Sequence, residues 1–234
     1  MCNAIAIMAV RHTRLVAILL AVVFAGSARA TVPDAAVQSM ERFLAQDGPQ
    51  PAYRATRHLE AENGSRKGWL EAITEYSPET GFRYEVTSEG GSGYIRSKVL
   101  KALLDGELAV IAQGEAARSS LDSSNYKFQP NGIDRDGLAN VLLSPRRKER
   151  VLVSGMMALD TTDGALVRLQ GRLAKSPSFW VKNVDIVRTY QRIGGTVLPV
   201  ALESKAQVRF AGDATLRMTY VYSEIDGRTL EPRR

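Results

Sequence analysis

Two periodicities alternate along the chain. Over 34–46, Val37, Met40, Phe43 and Leu44 recur every three or four positions among Gln38, Glu41 and Arg42. This is the stripe of an amphipathic helix, and Gly48 and Pro49 end it. A period of two follows and predicts strands over 53–60, 69–76 and 82–86. Asn63-Gly64 and Ser77-Pro78-Glu79-Thr80-Gly81 supply the turns between them. Asn63-Gly64-Ser65 also matches a glycosylation sequon, but Arg66 and Lys67 follow it and the hairpin-turn reading is taken. The helical period returns over 97–113, with Leu100, Leu103, Leu104, Leu108 and Ile111 as its stripe. Gly106 inside that helix costs about 1 kcal/mol against Ala and is expected at a kink or a close contact. Beyond it the pattern is β throughout, over 126–129, 138–143, 151–159, 166–173, 180–193, 197–210 and 216–222. Asn131-Gly132, Asp163-Gly164, Gly194-Gly195 and Gly212-Asp213 punctuate these strands as an antiparallel meander.

The faces of the strands set the architecture. Leu198, Val200, Leu202, Ala206, Val208 and Phe210 lie on one side of 197–210, and Glu203, Lys205, Gln207 and Arg209 on the other. Leu216, Met218, Tyr220 and Tyr222 alternate in the same way with Thr215, Arg217, Thr219 and Ser223. About nine strands therefore share one apolar face, wet on its other side, and two helices are available to cover it. The prediction is a mostly β, α+β fold: a single curled antiparallel sheet forming an unclosed β-barrel, with two helices packed on its concave side. The apolar surface in excess of the helical cover is expected to hold a ligand.

Composition changes the picture at the N-terminus. Arg11, His12 and Arg14 precede the uncharged run 15–25, and Ser27-Ala28-Arg29-Ala30 places small residues at the −3 and −1 positions of a cut after Ala30. The run is shorter than the ~20 residues of a membrane span. Residues 1–30 are expected to be a signal peptide and 31–234 a single exported domain that is not an integral membrane protein once processed. The one cysteine, Cys2, lies in the leader, so the processed chain has no disulfide, thiolate nucleophile or cysteine metal site. Three of the 31 basic residues, Arg11, Arg14 and Arg29, lie there too, leaving 28 against 25 acidic residues. The high pI is thus partly a feature of targeting. No basic stripe with interleaved aromatics argues for nucleic acid.

The order of elements carries a resemblance. Ser144-Pro145-Arg146-Arg147 through Gly155, Leu159-Asp160 and Asp163-Gly164-Ala165-Leu166 resembles the middle hairpin of outer-membrane lipoprotein-sorting-like proteins. So do Ser176-Pro177-Ser178-Phe179-Trp180 and the closing Met218-Thr219-Tyr220-Val221-Tyr222. With the leader, the short meander and the helical interruption, the chain resembles the periplasmic lipoprotein carrier and receptor superfamily of LolA, LolB and RseB. The likeness spans most of the chain after the leader and lies in architecture and short phrases, with no invariant motif. It implies a LolA-like half-barrel in the periplasm with an acyl-chain cavity, and a role in lipoprotein sorting or transport with an acylated lipoprotein or lipid-like ligand.

Catalytic chemistry is hard to assemble from this sequence. His58 is the one histidine beyond the leader, and it is out of phase with Tyr53, Ala55 and Leu59, which places it on the wet face. A centre with several imidazoles is excluded, and no Gly-X-Ser-X-Gly elbow is present. Glu71, Glu75, Glu85, Asp160, Asp185 and Glu203 alternate largely with basic residues on polar faces. Glu89-Gly90-Gly91-Ser92-Gly93 lacks the Lys-Ser/Thr of a phosphate loop. No enzyme, cofactor or metal is expected. The expected cavity lining is Trp180, Val184, Ile186, Leu198, Val200, Leu202, Phe210, Met218 and Tyr220, with Phe179 and Trp180 at the mouth. Leu100, Leu104, Leu108 and Ile111 are expected to form a lid over the sheet, hinged at Gly90-Gly91-Ser92-Gly93. The basic run Arg146-Arg147-Lys148 with Arg150 supports an alternative: an envelope protein-interaction module, a stress sensor or assembly factor, that meets its partner through Arg146 and Arg147.

Overall fold

Alternation between an apolar and a polar face favours strands that pair edge to edge and bury one side, and one sheet collects all of them. The computed structural model describes residues 34–231 apart from 47, 49, 178, 180, 210 and 211. The signal peptide with its cut after Ala30, Trp180 and Phe210 lie outside the described residues. Two hairpins' worth of N-terminal chain form β1 (Tyr53–Asn63), β2 (Arg66–Ser77) and β3 (Gly81–Gly91). Then come β4 (Tyr126–Ile133), β5 (Ala139–Pro145), β6 (Val153–Leu159), β7 (Leu166–Leu173), β8 (Val181–Ile193), β9 (Thr196–Val208), β10 (Gly212–Ile225) and the two-residue β11 (Arg228–Thr229). The spatial order is β3-β2-β1-β10-β9-β8-β7-β6-β5-β4, antiparallel throughout, with β11 on β10. The architecture is mostly β, as expected, and the sheet does not close: β3 and β4 are its two edges.

That order dictates the helical crossing. β3 and β4 are consecutive in the chain and farthest apart in the sheet, so the connection between them must traverse it. It does so as α2 (Gly93–Ile95), a π turn (Arg96–Lys101) and α3 (Ala102–Ala112), followed by a 3₁₀ turn at Ala116–Ser119. α1 (Asp34–Leu44) lies before the first strand.

Residues directly opposite in an antiparallel ladder point to the same side. One row can therefore be followed across ten strands: Glu89, Leu70, Leu59, Met218, Leu202, Arg188, Leu169, Met157, Val141 and Pro130. Ile95, Leu100 and Leu104 pack with Leu59, Leu70, Leu202 and Met218 in one buried cluster. Ala36 of α1, with Met40 and Phe43 against it, packs with Val141, Met157 and Leu169 in another. The two helical pieces thus cover opposite halves of the same face. A third cluster, Tyr53, Ala55, Leu198, Tyr222 and Ile225, closes one end of the central strands.

Several elements depart from the sequence expectation for local reasons. β1 to β3 run to 11 and 12 residues because Ala61-Glu62-Asn63 and Arg66-Lys67-Gly68 continue the pairing to the turn. The second helix starts four residues earlier than periodicity predicts, at Gly93. The expected glycine hinge is no loose loop: Gly90 and Gly91 are strand residues paired with Trp69 and Gly68. A Cβ on Gly91 would lie 2.4 Å from the Lys67 carbonyl, so glycine is there for a close crossing. Gly106 does not mark a close contact, since a Cβ there would meet nothing within 4 Å.

α1 is held to the β6–β7 turn. Arg42 Nη1 donates to the carbonyls of Thr161 and Thr162, both at 3.0 Å, and Gln46 Nε2 donates to that of Asp163 at 3.0 Å. Gly164, at φ +76°, fits beneath the helix, where a Cβ would sit 2.8 Å from Arg42 Cβ and from the Ser39 carbonyl. Two substitutions should therefore move stability in opposite directions. Gly164→Ala should cost about 1–3 kcal/mol through backbone strain and the push on α1. Gly106→Ala should add about 0.5–1 kcal/mol by helix propensity alone. Urea unfolding of the two variants beside the parent protein checks both signs.

Candidate functional site

The alternation in β1 places Tyr53, Ala55, Leu59 and Ala61 on the inner face, and with them Arg57. A charge in that position is enclosed: Arg57 is 2% exposed. Its cross-strand neighbours are Ala72 on β2 and Tyr220 on β10. Its guanidinium lies 4.8 Å from the Tyr220 ring centroid, 5.1 Å from Phe82 and 6.0 Å from Tyr53. Nη2 donates to the Tyr53 hydroxyl at 2.7 Å. Glu107 comes down from α3 and takes the guanidinium with both oxygens, Oε2 to Nη1 at 2.6 Å and Oε1 to Nη2 at 3.0 Å. Burial works against the Arg57 charge, but the hydrogen bonds and charge of Glu107 outweigh it and hold the guanidinium protonated. Tyr53 is stacked on Tyr76 and meets Tyr222 edge-on, and Tyr222 stacks on Tyr220.

A second arginine shares this face. Arg188 on β8 is partly buried, and its charge is faced by the phenols of Tyr190 and Tyr220 and by the Glu107 carboxylate. The Nε atoms of Arg57 and Arg188 are both enclosed without a hydrogen-bond partner. A strong tie also holds α3 further out, where the Tyr84 hydroxyl donates to Asp105 Oδ1 at 2.5 Å.

The residues expected to line a cavity distribute around this cluster. Leu202 and Met218 are buried beneath the α2–α3 segment, with Ile186 and Tyr220 packed against them. Leu198 is buried in the end cluster, Val184 is buried, and Val200 is partly buried. Of the lid stripe, Leu100 and Leu104 are fully buried on the sheet and Ile111 packs against the same cluster. Leu108 does not: it is 39% exposed, and Glu107 takes the inward place beside it. Leu104 and Ile111 are about two turns apart, positions 107 and 108 fall equally between them, and the pairing of Glu107 with Arg57 settles which of the two points inward. In α1, Leu44 is likewise 38% exposed while Met40 and Phe43 pack inward.

Two clefts open elsewhere. One, of about 420 Å³, is bounded by Gln50, Pro51, Ala52, Pro78, Glu79, Thr196 and Asp226. The other, of about 270 Å³, lies among Val110, Glu115, Arg118, Lys148, Arg150 and Lys175. The expected lining residues among those described border neither, and side chains of the helical pieces pack on the inner face. Phe179 is exposed, with the Arg209 guanidinium 4.1 Å from its ring centroid.

The basic turn is committed to its own chain. Arg146 Nε donates to the carbonyls of Ser123 and Tyr126 at 2.7 and 3.2 Å. Arg147 Nε donates to Glu149 at 2.5 Å, and its Nη2 to the Arg118 carbonyl at 3.2 Å. The hydrogen bond from Arg147 holds the Glu149 carboxyl below its usual range. These guanidiniums brace the 3₁₀ turn, and Arg146 stays exposed to solvent. His58 stands on the outer face, stacked on Trp69 and 3.6 Å from Glu71. Glu75 is taken by Arg54 and Arg83, and Asp185 by Arg172. Among the described residues no group of three or more His, Cys, Asp or Glu side chains is arranged to hold a metal ion. No helix among them is long and apolar enough to cross a membrane.

Arg57, Glu107 and Arg188 are the site residues that the sequence reading passed over. Arg57 shares the phase of Tyr53, Ala55 and Leu59, and Glu107 stands three residues after Leu104 and four before Ile111. A charge on the apolar face of each of two elements was the available signal.

No protein-family model matches the chain, and no curated protein does. Similar solved structures include a LolA superfamily protein from Nitrosomonas europaea, 9% identical over 84% of this chain and 94% of that one, with a TM-score of 0.38. A DUF1329 family protein from Desulfovibrio piger is 10% identical over 80% and 89%, with a TM-score of 0.37. A chain of the Pseudomonas aeruginosa MucA/MucB complex is 11% identical over 81% and 94%, with a TM-score of 0.25.

The tyrosines around Arg57 give the site an alkaline limit. Burial pushes the Tyr53 phenol up to about 12, with Arg57 pulling it back only in part. Burial raises Tyr220 and Tyr222 as well. As pH rises past the ordinary phenol value, the unfolded chain loses these protons before the folded one, so stability falls between about pH 10 and about pH 12. Tyr53 alone should account for about 2–3 kcal/mol of that fall. Urea midpoints that hold steady to about pH 9 and then drop, less steeply in Tyr53→Phe, are the expected result.

Proposed function

We propose that the protein is a non-enzymatic periplasmic binding or carrier protein for a lipid-acylated or otherwise apolar ligand, exported by the leader 1–30 and folded as one half-barrel domain over 31–234. The observation that supports this most is the divided cover of the inner face. An apolar row crosses the sheet, and two separate helical pieces, not one continuous layer, lie over its halves. α1 is clamped to a turn of the sheet. The α2–α3 segment bridges the two free edges and is tied to the face chiefly by Ile95, Leu100, Leu104 and the Arg57–Glu107 pair.

Moving that segment aside uncovers three buried aliphatic side chains, at roughly 1.5–3 kcal/mol each. An acyl chain laid in their place returns about 0.8 kcal/mol per methylene, so about six to eleven carbons offset the aliphatic part of the loss. The wide π turn at Arg96–Lys101 is the irregular point at which such a movement would bend the segment. Sorting of outer-membrane lipoproteins is the particular use this reading favours.

The open edges at β3 and β4 support a second reading, an envelope protein-interaction module that adds a partner's strand. In that reading the open edges and the basic turn at Arg146 and Arg147 together would make the contact.

Native mass spectrometry of protein taken from its own envelope should find a lipid-sized mass bound, and N-terminal sequencing should begin at Thr31. A co-purified polypeptide without lipid would favour the second reading. Hydrogen exchange supplies a further test. Amides over 97–113 should gain protection when a lipid-like ligand binds, whereas equal protection in both states would end the lid idea. Glu107→Gln should loosen the same amides in the free protein and cost about 3–5 kcal/mol, because Arg57 is then left buried and unpaired.

A further inference from the structure

We infer that Arg188 seats an anionic head group on the ligand, a carboxylate or phosphate at the end of a single long acyl chain. This rests on the reading that the inner face receives an apolar ligand, and it adds the ligand's chemical class. The first ground is position. In the ten-strand row, Glu89 at one edge is paired with Arg96 and Lys101 from the helical segment above it. The other charge is Arg188, set at the middle between Leu169 and Leu202. Along this row the last buried member of the α1 cluster is Leu169 and that of the α3 cluster is Leu202; Tyr190 and Ile186, both on β8, pack against the first and the second, so the strand that carries Arg188 is shared between the two covers.

The second ground is the charge balance. Arg57 and Arg188 bring two positive charges to the inner face, and Glu107 is the carboxylate that faces both. Both its oxygens are given to Arg57. Among the described residues Arg188 makes no ion pair, and its Nε is enclosed and unpartnered. The hydrogen bond with Tyr190 and the phenol of Tyr220 answer part of the Arg188 charge, but the one carboxylate that faces it is engaged by Arg57, and packing alone would be better served by Leu or Met. What the arrangement lacks is one more anion, and a guanidinium takes carboxylate and phosphate by the same paired hydrogen bonds.

The third ground is length. From Arg188 the row runs over Leu202, Met218 and Leu59 to Leu70, four strand spacings or about 19 Å. That is the span of a long extended acyl chain, and it lies wholly under the α2–α3 segment. The opposite direction leads under α1, which Arg42 and the close fit at Gly164 hold down. Glu107 faces Arg188 as well as Arg57, so an anion seated at Arg188 repels the carboxylate that ties α3 to the sheet.

The test uses three probes with the same hexadecyl-length chain: hexadecanoate, hexadecyl phosphate and the neutral monohexadecanoylglycerol, each titrated calorimetrically into delipidated protein. The two anionic probes should bind about tenfold or more tightly than the neutral one. Preference for one anion over the other would name the head group within the proposed class. Arg188→Met should lose about tenfold or more for the anionic probes and should melt no lower than the parent, since an unpaired charge has been removed. Arg188→Gln provides a second, polar variant with the same expectation for binding. Equal affinity for all three probes in the parent protein would overturn the anion seat and leave the carrier reading standing. A loss shared equally by all three probes in both variants, or a marked fall in melting temperature, would make Arg188 a structural residue and also overturn it. No binding of any probe would remove the carrier reading, and the seat with it.

Discussion

A guanidinium carried on the apolar side of a strand has no water to turn to, and the way Arg57 is answered shapes the inner face around it. Aromatic rings from β1, β3 and β10 close over its surfaces, and Glu107 meets its edge from the helical crossing. The pair joins residues fifty positions apart, and so fixes where α3 lies along the sheet. Leu104, one turn earlier, and Ile111, one turn later, then meet the face, and Leu108 is turned away. Such a pair adds little net stability once desolvation is counted, but breaking it is expensive. Its contribution is to make one docking position better than its neighbours.

The crossing itself follows from strand order. Because β1 pairs with β10, the N-terminal meander joins the far end of the C-terminal one, and β3 and β4 are left as the two edges. The chain between them has to travel the width of the sheet, and burial draws it onto the apolar side. α1 reaches the same side from the other end of the row. Two covers of independent origin lie over opposite ends of the row, α1 against β4 to β6 and the α2–α3 segment against β1 to β3, and between them the apolar row is interrupted by Arg188. The two covers are held differently: α1 is bound to a turn of the sheet, and the α2–α3 segment by buried side chains and the Arg57–Glu107 pair.

Polar chemistry elsewhere is mostly consumed in holding the shape. Arg146 and Arg147 brace the 3₁₀ turn, Arg42 clamps α1, and Glu75 and Asp185 are matched by arginines on adjacent strands. Dense charge in the sequence therefore pointed to places where backbone carbonyls and carboxylates needed donors. The sparse charges, Arg57 and Arg188 among aliphatic and aromatic residues, are the ones that reach the inner face.

Periods of two and of 3.6 are local properties, and they were enough to determine the element types, the apolar face shared by the strands, most turns and the unclosed, mostly β architecture. The packing of Leu100 and Leu104 on the sheet and the outward place of His58 followed from phase alone. Register between distant strands is not local. The β1–β10 pairing, the early start of the helical crossing with its π turn, and the close contact at Gly91 arise only when segments far apart in sequence meet. The same holds for the site. Arg57 and Glu107 each look like a lone exception on an apolar stripe until long-range packing supplies the partner. Arg188 becomes the central charge of a ten-strand row only because hydrogen-bonded register, summed across the whole sheet, places it there.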